Sequence, residues 1–469
     1  MNPLPLSFIQ GLDIQLASVF IIFVLPGQRD KKMRRKGLIN VFKQTKEAFR
    51  EKSFIFLFLA EIITVFGDVL FYTAITWFIY TQSNSTTAIS LLNLSDLLPT
   101  LLFVFFFGIL IDRSSSRMVF RIIYITQSVV ALILIAAFFS GRINLFVILL
   151  CVFVNAMVAS GKSPLVNKVL VKIGKESLSD RNTILSVGKK ICTIAGSLMA
   201  GLLAENLFLI IFIDCLTFIC AFAFISRIKL DEETQRTTQS RSIKEEFRET
   251  FLYLNKKRTV LRFILVFVFI IIAGTSITLS MPIVSKEILQ MDKEGYGLLK
   301  SALSTGGLFV IFLMPLIGKC ERKIHWLICV SGLTMILYAL GTNLYFNLLI
   351  LTLTGILSNM ADILFTTILQ KIIDEKIIGK LFSVIVAVII LSNMVGNIIY
   401  GFLFDHFSVR GVLIASGGTF ILFAFFLRRI VQSTFSSPLS RKTRYRDSHL
   451  FPKAASVRKR RQYERNRDR

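Results

Sequence analysis

The sequence is poor in the residues that build metal sites, disulfide networks and most active sites. It has six Cys and three His in 469 residues, and no two Cys form a C-x-x-C pair. Most of the Cys lie inside apolar runs, where a free thiol packs like a small apolar side chain, so we expect neither disulfides nor a bound metal. The sequence has no nucleophile motif and no ATP-binding P-loop, which argues against an enzyme and against an ATP-driven pump. No cofactor is expected. The residues concerned are Cys151, Cys192, Cys215, Cys220, Cys320, Cys329, His325, His406 and His449.

Long apolar runs dominate the chain instead. Hydrophobic residues make up 54% of the sequence, 44 residues are Phe, and the mean hydropathy is +0.67, which exceeds the apolar content of soluble domains. A bilayer core needs about 20 apolar helical residues, and each run is long enough to span it. The pattern predicts an all-α integral membrane protein with twelve transmembrane helices. The runs cover residues 54–80, 88–111, 117–139, 143–162, 183–203, 207–226, 260–284, 296–317, 324–341, 345–369, 380–403 and 409–427.

Acidic residues are scarce, and the basic excess has a pattern. The chain has 29 Asp and Glu against 55 Lys and Arg, a net charge of +26. The cations concentrate in every second gap between the runs, and basic loops remain in the cytoplasm. We therefore predict a multi-pass plasma-membrane protein with both termini in the cytoplasm. Anionic lipid headgroups, rather than nucleic acid, are the expected counter-charge. The basic gaps are the segment before residue 53, then 113–121, 162–181, 227–262, 319–323, 371–380 and the tail after 428.

The longest internal gap divides the runs into six and six. We predict an N-terminal extension at 1–53, with a short apolar segment and an amphipathic cytoplasmic helix, followed by a six-helix bundle at 54–226. A cytoplasmic linker at 227–259 contains a second amphipathic helix, indicated by Ile243, Phe247, Phe251 and Leu254. A second six-helix bundle then spans 260–427. The basic tail at 428–469 is predicted to be disordered and cytoplasmic.

The two halves echo one another in sequence. Run five ends with GLLAEN from Gly201, and run eleven ends with GFLFDH from Gly401, so an acid follows a glycine by four residues in each. Such echoes are typical of duplicated bundles that rock around a central site.

A second motif lies between runs two and three. The stretch GILIDRSSSR places Gly108 within the second helix, Asp112 at its end, and Arg113 and Arg117 in the turn that follows. It resembles the loop signature G-x-x-x-D-R-x-x-x-R of the major facilitator superfamily. In that family the acid pairs with a neighbouring helix end in one conformation, which makes the motif a conformational latch. The alternative is that the two arginines only anchor topology.

The surrounding sequence resembles the macrolide-efflux-like branch of that superfamily. The similar stretches are FLFLAEIITVFGDVLFYTAITWFIY, LLPTLLFVFFFGILIDRSSSR, LIIFIDCLTFI and LQKIIDEKIIGKLFSV. The resemblance covers residues 54–427 and implies the major facilitator fold, with two six-helix bundles. One departure concerns run five, where antiporters of the superfamily have a Gly-Pro pair. Here Gly196 is followed by Ser197, while Gly196 and Gly201 still permit close helix packing.

Ionisable residues inside a membrane are costly, so each is a candidate functional residue. Run one has Glu61 and Asp68 two helical turns apart, with Thr64, Tyr72 and Thr76 near the same face. The resemblance implies that runs one and ten line the central cavity, so these acids are candidates for binding protons or substrate. The alternative is that both acids only pack against neighbouring helices.

Other polar residues within the runs receive different expectations. Run ten repeats the theme of run one with Asn359, Asp362 and Thr366. Asp214 is expected to pack at a helix interface. Lys189 and Lys190 are expected to extend toward the cytoplasmic surface rather than to bind a ligand.

These features predict a secondary transporter that exports amphipathic small molecules by alternating access. A carboxyl group that takes up a proton outside and releases it inside would couple export to the proton gradient. The expected partners are a small-molecule substrate, protons and lipids, and the protein is expected to be a monomer. The missing proline keeps nutrient uptake or facilitated transport open as an alternative. A membrane-embedded sensor or enzyme is the alternative from another class.

Overall fold

The structure of the protein is a computed structural model that describes residues 48–49, 51–174, 178–228, 253–254, 257–317, 323–373 and 377–436. The amphipathic helices predicted near 37–53 and 243–254 fall almost entirely outside these residues. The tail from 437 onward also lies outside them.

Helices form the regular structure of this described part, which contains no strand. They are α1 (Lys52–Ser83), α2 (Thr86–Arg113), α3 (Ser116–Phe139), α4 (Leu145–Ala159), α5 (Lys162–Ile173), α6 (Leu178–Leu203), α7 (Leu207–Ser226), α8 (Arg258–Ile283), α9 (Lys293–Ile317), α10 (Ile324–Leu340), α11 (Leu344–Ile372), α12 (Ile378–His406) and α13 (Val409–Ser436). A π-helical turn, Val284–Ile288, extends α8.

Ten segments of the described chain are long and apolar enough to cross a membrane. The prediction of an all-α membrane protein is confirmed in this form. Helix α10 is apolar but shorter, with 17 residues, and α9 falls outside the set. The ten segments are Lys52–Ser83, Thr86–Phe103, Ser116–Phe139, Leu145–Ile173, Leu178–Leu203, Leu207–Ser226, Arg258–Ile288, Leu344–Ile372, Leu381–His406 and Val409–Gln432.

The fourth segment is longer than its apolar run suggested. The sequence places residues 162–181 in a basic gap, but α5 continues the path of α4 from Lys162 to Ile173. The two helices join at Ser160 and Gly161, and the polar composition of the second one conceals its helical pattern. Likewise, α13 continues past residue 427, where a disordered tail was predicted to begin, through Arg428 and Arg429 to Ser436.

Asparagine caps fix the starts of several helices. The Asn144 side chain accepts a hydrogen bond from the Val147 amide, and Asn206 does the same for the Leu209 amide. Asn343 accepts from the amides of Tyr345 and Phe346. Each cap satisfies a backbone donor that the first helical turn leaves unpaired. In all three places the cap is followed by Leu and an aromatic residue, a pattern that marks a helix start in the sequence.

The helices pack in a repeated arrangement. In the first half, α1 packs on α6 and α7, α3 packs on α7 and α4, and α2 packs on α4. In the second half, α8 packs on α12 and α13, α10 packs on α13 and α11, and α9 packs on α11. The two patterns correspond helix by helix when α4 and α5 count as one unit. The halves meet chiefly where α2 packs on α12 and where α6 packs on α9.

Large apolar side chains cover the outside of the bundle. Phe139, Phe146, Leu202, Leu349 and Phe425 are all exposed. Apolar side chains at these positions suit contact with lipid, which provides no hydrogen-bonding partner for polar groups.

Candidate functional site

The polar stripe predicted on the first helix lies in the interior of the first half. Glu61 is 2% exposed, and its Oε2 is 2.5 Å from Lys189 Nζ on α6. Tyr124 of α3 donates a hydrogen bond to the other oxygen of Glu61, at 3.4 Å. The carboxylate therefore has a cation and a hydroxyl as partners, which lowers the cost of its burial.

Asp68 pairs with a lysine from the fourth segment. Lys162 Nζ is 3.5 Å from Asp68 Oδ2, and it also donates a hydrogen bond to Thr64 Oγ1 at 3.3 Å. The same ammonium lies 5.5 Å from the ring centroid of Tyr124, the residue that contacts Glu61. The two acids of α1 thus belong to one network, in which Lys162 and Tyr124 connect α1, α3 and α5.

This network corrects two expectations about lysines. Lys162 was assigned to a cytoplasmic basic gap, and Lys189 was expected to extend to the cytoplasmic surface, but both pair with acids of α1. A single sequence does not show which face of α6 meets α1, so the pairing was missed. The available signal was the presence of two acids, Glu61 and Asp68, within one apolar run, because buried acids need counter-charges inside the bundle.

The candidates on α11 lie apart from this network. Asn359 Oδ1 accepts a hydrogen bond from Lys190 Nζ at 3.3 Å, which joins α6 of the first half to α11 of the second. Asp362 is exposed and lies about one helical turn further along α11. The structure therefore brings Asn359 together with Lys190, and it does not bring Asp362 together with Glu61 or Asp68.

Asp214 lies at the crossing of α7 and α1. It is 4% exposed, and its Oδ1 has no hydrogen-bond partner in the described part of the chain. A Cβ added at Gly67 of α1 would lie 2.8 Å from that oxygen. Only a residue without a side chain permits this approach. The site is a helix interface, as expected, with an acid that makes no ion pair there.

The latch motif is only partly described. Gly108, Asp112 and Arg113 lie in the last turns of α2, and their side chains are outside the described set. Ser115 caps α3 by accepting a hydrogen bond from the Met118 amide at 3.1 Å. Arg117 follows in the first turn of α3 and is half-buried. The turn between α2 and α3 is therefore short and capped, and the role of the motif as a latch, with the pairing of its acid, stays a prediction.

The two glycines of α6 face different helices. A Cβ at Gly196 would lie 2.9 Å from the backbone oxygen of Phe66 on α1. A Cβ at Gly201 would lie 3.1 Å from the backbone oxygen of Lys293 and 3.3 Å from the Cα of Gly297, both on α9. Gly196 therefore permits packing within the first half, whereas Gly201 permits packing between the halves.

The halves are joined at one end of the bundle, which we call the closed end. It is formed by the links 84–85, 204–206, 289–292 and 407–408. Asp405 of α12 accepts hydrogen bonds from Ser85 Oγ at 2.7 Å and from the backbone amides of Thr86 and Thr87 at 2.5 and 3.1 Å. The carboxylate thus caps the first turn of α2 in the other half.

Further contacts reinforce the closed end. Lys293, the first residue of α9, forms an ion pair with Glu205 in the α6–α7 link. Tyr80 donates a hydrogen bond to Glu287 at 3.0 Å, and Lys286 donates to Asn84 at 2.8 Å. All of these contacts join the first half to the second.

An aromatic cluster lies directly inside the closed end, and of its residues only Tyr72 stands out in the sequence. The rings of Trp77 and Tyr296 stack with centroids 6.1 Å apart. Lys300 Nζ lies 5.7 Å from the Tyr72 ring and 5.8 Å from the Tyr296 ring. We call Tyr72, Trp77, Tyr296 and Lys300 the aromatic site. Its residues come from α1 and α9, one helix of each half.

A polar bridge adjoins the aromatic site. Tyr72 Oη donates a hydrogen bond to Asn93 Oδ1 at 2.8 Å, and Asn93 Nδ2 donates to Asn397 Oδ1 at 2.5 Å. The bridge runs from α1 through α2 to α12 and so joins the halves below the closed end.

Comparison with known proteins identifies the family. The model of the family described as "Transmembrane secretion effector" matches residues 44–456, which is most of the chain. The chain belongs to this family. With the solved structures below, the match makes it a transporter of the major facilitator superfamily and not an enzyme.

One curated relative and several solved structures are similar to this transporter. The Staphyloferrin A transporter of Staphylococcus aureus (strain NCTC 8325 / PS 47) is 20% identical over 343 residues, which are 70% of this chain and 84% of the relative. The nucleoside transporter NupG has a TM-score of 0.66 at 12% identity and covers 82% of this chain and 99% of its own.

Two further structures show the same fold. A bacterial homolog of the human lysosomal transporter Spinster, in an inward-facing and unoccupied conformation, has a TM-score of 0.64 at 14% identity, covering 83% of this chain and 99% of its own. A D-xylose-proton symporter has a TM-score of 0.63 at 13% identity, covering 80% and 96%. At these identities the likeness concerns the fold alone.

Proposed function

We propose that this protein is a proton-coupled exporter of amphipathic small molecules that works by alternating access. The observation that supports the proposal best is the ion pair of Asp68 with Lys162 inside the helix bundle. An acid that can be neutral or charged, and whose charged form holds a second helix, provides a physical link between proton binding and conformation.

The link follows from the position of Lys162. This lysine begins α5, just after the break between α4 and α5 at Ser160 and Gly161. When Asp68 is ionised, its attraction for Lys162 holds α5 against α1. A proton on Asp68 removes that attraction, so protonation favours a different position of α5. The side chain of Asp68 is 37% exposed, so the helix packing does not enclose it completely.

We further propose a twelve-span architecture in which α4 and α5 form one span and α9 and α10 complete the set. Two six-helix bundles at 54–226 and 260–427 are then joined by the linker at 227–259, and the repeated packing supports this division. The basic gaps place both termini in the cytoplasm of a plasma-membrane protein, which makes the closed end extracellular. Anionic lipid headgroups would contact the basic cytoplasmic face, and the protein would act as a monomer.

Transport requires the closed end to open while the opposite end closes. The interhalf contacts of Asp405 and Lys293 would break, and the latch of Asp112 with its arginines would form or tighten. Gly201 and Gly297 permit the two halves to approach closely at the closed end. Rigid halves that rock around a central site are the arrangement common to such repeats.

Siderophore export is a more specific candidate. The relative named as a Staphyloferrin A transporter supports it at 20% identity. Uptake or facilitated transport is the third candidate, because Ser197 stands where antiporters of the superfamily have a proline.

The decisive experiment is transport in proteoliposomes with an imposed pH gradient. A panel of amphipathic dyes and drugs should be driven against its gradient in wild type, and an ionophore that collapses the proton gradient should abolish the effect. Substrate movement that is driven with the opposite sign would favour uptake. Substrate movement that does not depend on the pH gradient would contradict proton coupling.

A further inference from the structure

Lys300 is a cation inside the bundle without an anionic partner among the residues that the structure describes. Its side chain forms no ion pair and no hydrogen bond in the described part of the chain, whereas Lys162, Lys189 and Lys293 each pair with an acid. The aromatic faces of Tyr72 and Tyr296 offer it a weaker attraction through their π electrons. An unpaired ammonium inside a helix bundle is costly, so its retention calls for a counter-charge that the described residues do not supply.

The position of Lys300 suits contact with a transported molecule. It lies between α1 of the first half and α9 of the second, directly inside the closed end. Tyr72 lies one helical turn from Asp68, whose side chain is 37% exposed, and Tyr72 and Lys300 are themselves only half-buried. Asp68 and Tyr72 are thus half-buried residues one turn apart on the same face of α1, and that face leads to the aromatic site.

The aromatic site has the composition of a receptor for a flat apolar group. Trp77 and Tyr296 are already stacked and almost fully buried, so they form a rigid wall. Tyr72 is held in place by its hydrogen bond to Asn93. Fixed aromatic faces bind planar ligands without losing much side-chain entropy.

We propose that the aromatic site binds organic anions, with Lys300 holding the anionic group of the substrate and the half-buried Tyr72 packing against its flat apolar part, beside the stacked pair of Trp77 and Tyr296. The proposal rests on the proposed transport function and names the substrate class for it. An amphipathic molecule with a carboxylate, sulfonate or phosphate group has the required chemistry. Binding replaces the missing counter-charge of Lys300 with that of the substrate, and it joins one helix of each half through the ligand.

The site has a built-in fluorescent reporter. The chain contains two Trp, and Trp326 lies exposed on α10, so Trp326→Phe leaves Trp77 as the single Trp. Nitroaromatic compounds quench Trp fluorescence at short range, so a probe held by Lys300 and Tyr72 is expected to quench the neighbouring Trp77. We would titrate purified Trp326→Phe protein with 4-nitrobenzoate and with 4-nitrobenzamide, which have the same ring but differ in charge.

The expected result is saturable quenching by the anion with an affinity about tenfold higher than that for the amide, as a charge-assisted contact provides. Lys300→Gln should remove that preference and leave amide quenching unchanged. Lys300→Arg, which keeps the charge, should retain most of it. Lys172→Gln, which removes an exposed cation in the last turn of α5, is the matched control for net charge and should behave as the parent protein.

Several results would overturn the proposal. These are equal affinities for the two probes in the parent protein, no binding of either probe, or a Lys300→Gln variant that loses both probes equally while remaining folded by size-exclusion chromatography. Failure of the transport function is distinguishable. Anion binding that depends on Lys300, without driven transport in proteoliposomes, would contradict the proposed export function and still support the proposed binding site.

Discussion

Glu205 and Asp405 occupy equivalent positions in the two halves, and each binds the start of a helix in the other half. Each follows a glycine by four residues, Gly201 in one case and Gly401 in the other. Glu205 pairs with Lys293 at the start of α9, and Asp405 caps the start of α2. The motif that is duplicated in the sequence thus forms two similar contacts between the halves. In each, a glycine permits close helix crossing and an acid binds the start of a helix in the other half.

The first prediction concerns this closure. Asp405→Ala removes three hydrogen bonds to a carboxylate. The conformation in which the two halves separate at the closed end should then be favoured by about 2 kcal/mol or more, over tenfold in population. Spin labels at Gln82 and Ser408, both exposed, would report the distance between the halves. Asp292→Asn alters an exposed acid at the same end and should leave the distances unchanged. Identical distance distributions in Asp405→Ala and wild type would contradict the gating role.

The second prediction concerns the crossing of α6 and α9. A Cβ at Gly297 would lie 2.8 Å from the backbone oxygen of Ser197 and from the Cα of Gly201, so no side-chain movement can relieve the clash. Gly297→Ala should destabilise the protein by about 1–3 kcal/mol, measured as a lower unfolding temperature in detergent. Gly418→Ala is the control, since nothing lies within 4 Å of the added atom. Equal unfolding temperatures for the two variants would refute the close crossing.

The third prediction concerns the buried ion pair of Glu61 and Lys189. Lys189→Met leaves the Glu61 carboxylate with only the Tyr124 hydroxyl, and we expect a loss of about 1–3 kcal/mol of stability. Glu61→Gln in the same chain should recover much of it, because a neutral amide tolerates burial better than an unpaired charge. The double-mutant cycle from thermal unfolding measures the coupling. Additive effects of the two changes would mean that the pair contributes nothing.

Sequence patterns predicted the helices well because a span is apolar both where it packs and where it faces lipid, and this leaves a long apolar run in the sequence. The same patterns failed where a helix contains many polar residues. Helix α5 contains Lys162, Asn167, Lys168 and Lys172, so its polar face looked like a loop.

The candidate site shows the same division between what is local and what is not. Glu61 and Asp68 stood out because an acid in an apolar run is conspicuous by itself. Their partners Lys189 and Lys162 depend on which helices meet across the bundle, which the sequence of one chain does not contain. Lys300 was overlooked for the same reason, since it stands out only because no acid of the described residues pairs with it in three dimensions.

The fourth prediction concerns the latch motif at the other end of the bundle. Asp112→Asn should leave the protein inserted and as abundant as wild type but lower transport by about tenfold or more, because it removes a charge-assisted contact made in only one state. Ser114→Ala changes the same turn without changing its charge and serves as the control. A normal transport rate in Asp112→Asn would reduce the motif to a topology anchor.

The last prediction concerns coupling at Asp68 and Lys162. In exchange for one proton, one unit of pH difference can sustain about a tenfold substrate gradient. Asp68→Asn should lose this gradient in proteoliposomes while retaining substrate exchange without a gradient, because the titrating group is gone and the path is not.

Lys162→Gln separates the roles that Asp68 could have. If Asp68 carries the proton and acts through Lys162, both variants uncouple transport, and binding of the substrate becomes independent of pH in each. If Asp68 instead binds a cationic substrate directly, Asp68→Asn weakens binding, whereas Lys162→Gln strengthens it by freeing the carboxylate. If the pair only supports packing, both variants lose thermal stability and the surviving protein still couples normally. Asp180→Asn, in the first turn of α6, controls for the loss of a carboxylate elsewhere. Full driven transport with an unchanged pH profile in Asp68→Asn would exclude the coupling role. In the described structure, Asp68 is the acid of α1 whose carboxylate contacts Lys162, so no second acid of that helix could replace it.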